Sequence, residues 1–444
     1  MNIIGIIAEY NPFHRGHAYQ IEQLKKICHA DYVIIAMSGN FVQRGAPALM
    51  DKYSRTKMAL HCGADLILEL PTLFASASAE TFARGGVSLL NNTGIVTHLG
   101  FGAETDNIHL LSELANLLCL QPDPYREALH KELKMGHSFP AARANALESY
   151  LLSHSLALSA NTDSHFNCSD NNLQEILASP NNILALEYLK ALNTTKSILI
   201  PVPILRQGRS YHDTTIAEDF CSATAIRTYL KREPCWRNAQ YDLGSNNHIS
   251  SSCDCADSLK TAMPLDSYKI LRDYTHPFLF EDDFSTLLHY KLLFNDADHL
   301  AAWADSSPAL ADRLLHEREY FTNWSKFCQR IKTKNITYTR ISRLFLHMLL
   351  DIKQSDYHTF PVPSYLRILG FRQTASPLLS ALKSHSRLPI ITHPKKAQTL
   401  LSKQEQKLWD MDLRAADLYR LGLTGKGDYS MKREYRQQMI ISPP

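Results

Sequence analysis

Short apolar runs alternate with amphipathic stretches through the first two hundred residues. Ile3 to Ala8 is apolar with only Gly5 inside it, and Tyr32 to Met37, Ala64 to Leu70, Val96 to Phe101 and Ile198 to Ile204 repeat the pattern. Runs this short, without polar alternation, are what strands covered on both faces of a parallel sheet show. Between them the spacing predicts helices from His14 through about Cys28, from Asp51 onward, and over Ser76 to Asn91. Strand and helix in alternation give an α/β fold class with an N-terminal doubly wound parallel sheet of Rossmann type. Right-handed crossovers then bring the carboxyl ends of the strands to one side, where such sheets bind ligands. His14, Ser38 and Gly102 are expected to converge there, with Gly102 either a turn glycine or backbone room for a base or ribose.

From Ile108 to about Leu152 the pattern is helical, with a turn over Lys134 to Pro140. Ser155 to Asn172 is rich in Ser, Asn, Asp and Thr and reads as a flexible insertion. Ser179-Pro180-Asn181-Asn182 is expected to cap a helix over Ile183 to Leu192. A second polar patch, Gly244 to Leu259, marks a domain boundary. Residues 1–243 then form the sheet domain, 244–260 a linker or insertion, and 261–444 a mainly α-helical domain. In the last the expected helices run over Tyr268 to Asp273, Asp282 to Phe294, Ala309 to Trp324, Thr339 to Leu350 and Tyr365 to Phe371.

Composition narrows this only modestly. The formal net charge is +3 and the pI about 8.3, which permits a nucleic-acid partner without requiring one. Nine cysteines without framework spacing suit free thiols in a reducing compartment, the cytoplasm. Cys253 and Cys255 lack the second pair that structural zinc needs, so no metal site is expected. The first apolar run is too short and lacks the basic leader of a signal peptide, and no segment approaches the length of a membrane span.

The candidate chemistry starts at the end of the first run, in Glu9-Tyr10-Asn11-Pro12-Phe13-His14-Arg15-Gly16-His17. Pro12 fixes its own φ and biases Asn11 away from the helical region, so the loop turns before the helix opens. Two histidines three apart at a helix start share one face, where the helix terminus already favours anions. Each imidazole can donate a hydrogen bond to a phosphate oxygen, and Gly16 lets backbone and phosphate approach closely. A pair of surface histidines at a helix cap is the alternative. HxGH behind a buried strand resembles the nucleotidylyltransferase superfamily, in which it holds the ATP phosphates and stabilises the charge that develops when the α-phosphorus is attacked.

A second anion site is expected at Ser222 to Arg227. Ser222 caps a helix, Thr224 stands in its first turn and Arg227 one turn on. The superfamily resemblance implies that this S/T-x-x-x-R start holds the leaving pyrophosphate. Arg44, Lys52, Arg55 and Lys57 cluster after the second strand and suit either phosphate or RNA contact or a solvated helix face. Lys332, Lys334, Tyr338, Arg340 and Arg343 combine cations with an aromatic face at a helix start, the mixture of RNA-binding surfaces. Lys426 to Arg436 is a weaker second basic run.

In order along the chain, AEYNPFHRGH, MSGNFVQRG, RTKMAL, DLILELP, FGAE, SPNNILALEYLKAL, YHD with SATAIR, and KTKNITYTRISR closely resemble the bacterial tRNA(Met) cytidine acetate ligase family. The resemblance covers nearly the whole chain. It implies that ATP activates acetate as acetyl-adenylate with release of pyrophosphate, and that the acetyl group passes to the wobble cytidine of elongator tRNA(Met). It also implies an ATP site made of Ile7, Ala8, Glu9, Tyr10, Asn11, Pro12, Phe13, His14, Arg15, Gly16, His17, Ala18, Tyr19 and Gln20, completed by Gly102, Asn181 and Arg206. Arg15, where the family often has Asn, and Arg209 depart from the pattern. In the expected mechanism a carboxylate attacks the α-phosphorus in line, His14 and His17 stabilise the transition state, and Ser222, Thr224 and Arg227 hold the pyrophosphate. Magnesium is expected to arrive on the ATP, since no carboxylate cage is visible. Two other readings remain. One is a nucleotidylyltransferase joining AMP to a phosphorylated metabolite; the other is a non-catalytic RNA-binding protein, against which His14, Gly16, His17 and Arg227 count.

Overall fold

The computed structural model describes residues 1–137, 139–158, 176–177, 179–206, 222–232 and 259–443. Most of the polar stretches at 155–172 and 244–259, the segment 207–221 with Arg209, and Cys253 and Cys255 lie outside the described residues.

Strands β1 (Ile3–Ala8), β2 (Tyr32–Ser38), β5 (Leu66–Leu70), β6 (His98–Ala103) and β7 (Ile200–Leu205) form the parallel core, while β3 (Phe41–Val42) and β4 (Ala46–Pro47) make a separate antiparallel hairpin. In space the core runs β5-β2-β1-β6-β7. β1 lies at its centre, with Ile4 opposite Val33 on one side and His98 on the other. β1, β2, β5 and β6 are covered on both faces, which is why they are apolar without alternation, while the edge strand β7 is mostly half-buried. Ile3, Ile7 and Ile34 face a core with helices Ala79–Asn91 and Pro180–Thr194. Ile4, Ile6 and Ile35 face the opposite one, with helices Arg15–Ile27 and Lys52–His61.

The stretch Tyr365 to Phe371 is not helical as its spacing suggests. It is β8 (Leu366–Arg372), antiparallel to β5, and β9 (Ile390–Ile391) and β10 (Ile440–Ser442) pair parallel with β8. Seven residues behind Pro361 and Pro363 cannot build a stable helix, whereas β5 offers an unpaired edge that must be hydrogen-bonded. The helical part of the chain is therefore inserted between strands of one sheet, and the sheet crosses the boundary expected near 244–260. The helix expected over Ala309 to Trp324 is two: Pro308–Glu317, and Trp324–Ile331, whose N-terminus is capped by Asn323 accepting from the Lys326 N–H at 2.9 Å. Ser179 makes no cap bond to helix Pro180–Thr194. Asn182, one of the expected cap residues, instead accepts from the Glu104 N–H at 2.8 Å.

A buried ion cluster fastens β8 to β5. Lys52 Nζ lies 2.7 Å from Glu69 and 2.9 Å from Glu434, while Arg367 places Nη1 2.8 Å from Glu69 and Nη2 against Glu434. Tyr53 adds its hydroxyl to Glu434 at 2.8 Å. All four charged side chains are nearly inaccessible, and two cations meet two anions. Lys52 is thereby withdrawn from any ligand.

Candidate active site

A cavity of about 490 Å³ opens beyond the carboxyl ends of β1, β6 and β7. In the strand order found here, this is where crossovers diverge on either side of β1 and leave a crevice. Of the expected ATP residues, Ile7, Ala8, Glu9, Tyr10, Asn11, His14, Gly16, His17, Tyr19, Gln20, Gly102, Asn181 and Arg206 line it, joined by Ser222, Thr224 and Arg227. Pro12, Phe13, Arg15 and Ala18 do not. Phe13 is fully buried under the loop and its carbonyl accepts from Ser267, while Arg15 points to solvent. Ser38 does not reach the cavity either; its carbonyl is taken by Arg55 at 3.1 Å. Gly102 lies within β6 and is no turn glycine.

The loop itself sets the histidine chemistry. His14 caps helix Arg15–Ile27: its Nδ1 accepts from the Gly16 N–H at 3.1 Å, and the His17 Nδ1 accepts from the His14 N–H at 3.2 Å. A nitrogen that accepts carries no proton, so each neutral ring bears its hydrogen on Nε2. The rings stack with centroids 3.7 Å apart. Burial, then the nearby Arg206 and Arg227, pull the His14 pKa down to about 3. Burial, His14 and Arg206 hold His17 well below the ordinary range as well. The site thus offers two neutral N–H donors, and its positive charge comes from arginines.

Arg227 spans the two segments expected to bind anions, donating from Nη1 to the Asn11 carbonyl at 2.7 Å and from Nη2 to Thr224 Oγ1 at 3.1 Å. Ser222 caps its helix, accepting from the Ala225 N–H at 3.1 Å. On the β6 side Glu104 organises two expected ligands, accepting from Asn181 at 2.5 Å and lying 3.5 Å from Arg206. Arg55 is fully buried and donates to the carbonyls of Met50 at 3.0 Å, Glu9 at 2.6 Å, Ser38 and Gly39, so it ties the ends of β1 and β2 to helix Lys52–His61. It holds the loop and does not meet a phosphate. Among the described residues no group of three or more His, Cys, Asp or Glu could hold a metal ion.

A HIGH nucleotidyl transferase family model matches residues 1–434. The tRNA(Met) cytidine acetate ligase of Clostridium kluyveri is 37% identical over 407 residues, 90% of this chain and 92% of that one. The one from Acetivibrio thermocellus is 34% identical over 447 residues, 99% and 100% of the two chains. The chain belongs to the tRNA(Met) cytidine acetate ligase family. Among solved structures, Thermotoga maritima TmcAL superposes with a TM-score of 0.87 at 30% identity over 100% of both chains. The same enzyme bound with alpha-thio ATP gives 0.84 at 30% identity, again over 100% of each.

In this family member the residues expected to meet RNA separate into three groups. Lys332 and Lys334 are exposed. Arg340 donates to the Asp305 carbonyl at 3.0 Å, and Arg343 grips the Asp305 carboxylate at 2.9 and 2.7 Å. Tyr338 lines the same cavity together with Thr339, Gln43, Arg44 and Glu281. Phe82, Phe101, Leu184 and Tyr188 supply an apolar part of the same wall. Spacing could not reveal this wall, because its residues come from six separate segments.

Helix Tyr338–Leu350 reaches the cavity because it packs directly on the hairpin. Gly45 has φ +71°, and a Cβ there would stand 2.3 Å from the Arg343 backbone nitrogen. Its carbonyl accepts from Ser342 Oγ at 2.9 Å, and Ser342 in turn accepts from the Trp324 indole at 3.0 Å.

Proposed function

We infer that this protein is an ATP-dependent ligase that activates acetate as acetyl-adenylate and transfers the acetyl group to the wobble cytidine of elongator tRNA(Met), giving N(4)-acetylcytidine. Family membership along the whole chain supports the overall reaction. The observation that carries the first step is the pair of neutral, stacked imidazoles beside Arg206 and Arg227 in one cavity.

An acetate oxygen attacks the α-phosphorus in line, and the bond to the bridging oxygen of pyrophosphate breaks. Negative charge grows on the phosphoryl oxygens as this happens. The Nε2–H groups of His14 and His17 are fixed by their backbone bonds, so they meet that charge without reorganising. Arg227 and the start of helix Ala223–Arg232 receive the departing pyrophosphate, with Ser222 and Thr224 as hydroxyl partners. Gly102, Asn181 and Arg206 bound the nucleoside side. Magnesium enters on the triphosphate as part of the substrate. No covalent enzyme intermediate is needed. His14, His17, Ser222, Thr224 and Arg227 carry this chemistry, and Lys332 and Lys334 meet RNA phosphates. A tRNA substrate fits a cytoplasmic location.

Acetate-dependent exchange of pyrophosphate into ATP, followed by acetylation of a tRNA(Met) transcript, tests this. His14→Ala should lower exchange by about 10²-fold or more, the loss typical of one transition-state donor. Exchange that ignores acetate and depends on a phosphorylated metabolite would point to the metabolite nucleotidylyltransferase instead.

A further inference from the structure

The cavity has two walls of opposite character. One carries His14, His17, Arg206 and Arg227 and suits ATP, acetate and AMP, all anions. The other carries Glu9, which lines the same space with Gln43, Arg44, Glu281 and Tyr338. A carboxylate in a cavity that must hold three anions raises the cost of binding each of them. It is accounted for if it meets a group bearing protons.

Glu9 is held for such a meeting. Its Oε1 accepts from the Gln43 N–H at 2.9 Å, which fixes the carboxylate and leaves Oε2 as an acceptor. Gln43 sits on the hairpin that Gly45 and Ser342 lock to helix Tyr338–Leu350, so Glu9, Gln43, Arg44 and Tyr338 form one rigid assembly. Its chemistry matches cytosine. The exocyclic amine donates to a carboxylate, N3 and O2 accept from Arg or Gln, and an aromatic ring offers a stacking face.

We propose that this wall is the acceptor subsite for the extruded cytosine, and that Glu9 is the general base of the transfer step. This rests on the ligase reading above. The exocyclic nitrogen attacks the acetyl carbonyl carbon of acetyl-adenylate and forms the N–C bond. The bond from that carbon to the phosphate oxygen breaks, AMP leaves as the anion, and the amine's proton passes to Glu9 and then to water.

The test separates the two steps in the full-length enzyme. Glu9→Gln keeps an acceptor for the Gln43 N–H, so the loop geometry survives, and a thermal melt checks this. Acetate-dependent pyrophosphate exchange reports step one. Single-turnover transfer from preformed acetyl-adenylate to a tRNA(Met) transcript reports step two. The expected result is a transfer loss at least tenfold greater than any exchange loss. Equal losses in both steps would make Glu9 part of the ATP machinery and overturn the proposal, as would unchanged transfer. Absence of acetate-dependent exchange in the unaltered enzyme would overturn the ligase reading itself.

Discussion

Replacing Arg55 by Met should uncouple the nucleotide loop from the sheet. The guanidinium serves four carbonyls, those of Met50, Glu9, Ser38 and Gly39, from a site with no solvent exposure. Methionine fills much of the volume but donates nothing. Each buried acceptor left without a donor costs about 1–3 kcal/mol, so four set a loss of about 4 kcal/mol even at the lower figure, before relaxation. Because Glu9 immediately precedes the turn into His14, some of that loss should appear as misplaced Nε2–H groups. Urea unfolding gives the stability, and pyrophosphate exchange at saturating and limiting ATP separates kcat from KM. Arg55→Lys, with a single ammonium, should recover part of the stability and less of the exchange rate. Stability within 1 kcal/mol of the unaltered protein, together with exchange within about twofold, would refute the role assigned to Arg55.

Glu434→Gln should cost about 3–5 kcal/mol of unfolding free energy, since it leaves Lys52 and Arg367 buried with Glu69 as their remaining carboxylate; an unchanged urea midpoint would contradict this. For pH, His14 stays neutral in the fold with a pKa of about 3 against an ordinary 6.5, so below pH 6.5 the unfolded chain takes up a proton that the native state refuses. The contribution of His14 is fully present above pH 6.5 and is lost as pH falls from there toward 3. His14→Gln should therefore flatten the decline of the urea midpoint across that window, and an unaltered slope would count against the neutral, Nε2-protonated ring.

What the sequence disclosed follows from how local each signal is. β1, β2, β5 and β6 were legible because each is a short run covered on both faces, β7 because it repeats their apolar pattern although its edge position leaves Ile200 and Leu205 exposed, and the first expected anion site because its histidines and glycine are contiguous. β8 was not, since Leu366 to Arg372 becomes a strand through the edge that β5 presents from a remote part of the chain. Arg55 and Lys52 resembled phosphate ligands because nothing nearby in sequence shows them to be buried. Their neighbour Tyr53 meets Glu434, one member of the cluster, from 381 residues away. Arg340 and Arg343 read as RNA contacts for the same reason, because Asp305 lies two helices earlier. The wall with Gln43, Tyr188 and Glu281 exists only once the chain has folded.

The pairing of β5 with β8 also has a consequence for synthesis. From Leu70 to Leu366 the ribosome adds 296 residues, about 15–60 s at 5–20 residues per second. Throughout that interval the β5 edge has no partner, and Lys52 and Glu69 wait for Arg367 and Glu434. An unpaired, apolar strand edge is a template for mispairing with another chain. A nascent chain therefore exposes that edge until Leu366 to Arg372 has emerged, and the buried ion cluster closes only when Glu434 follows.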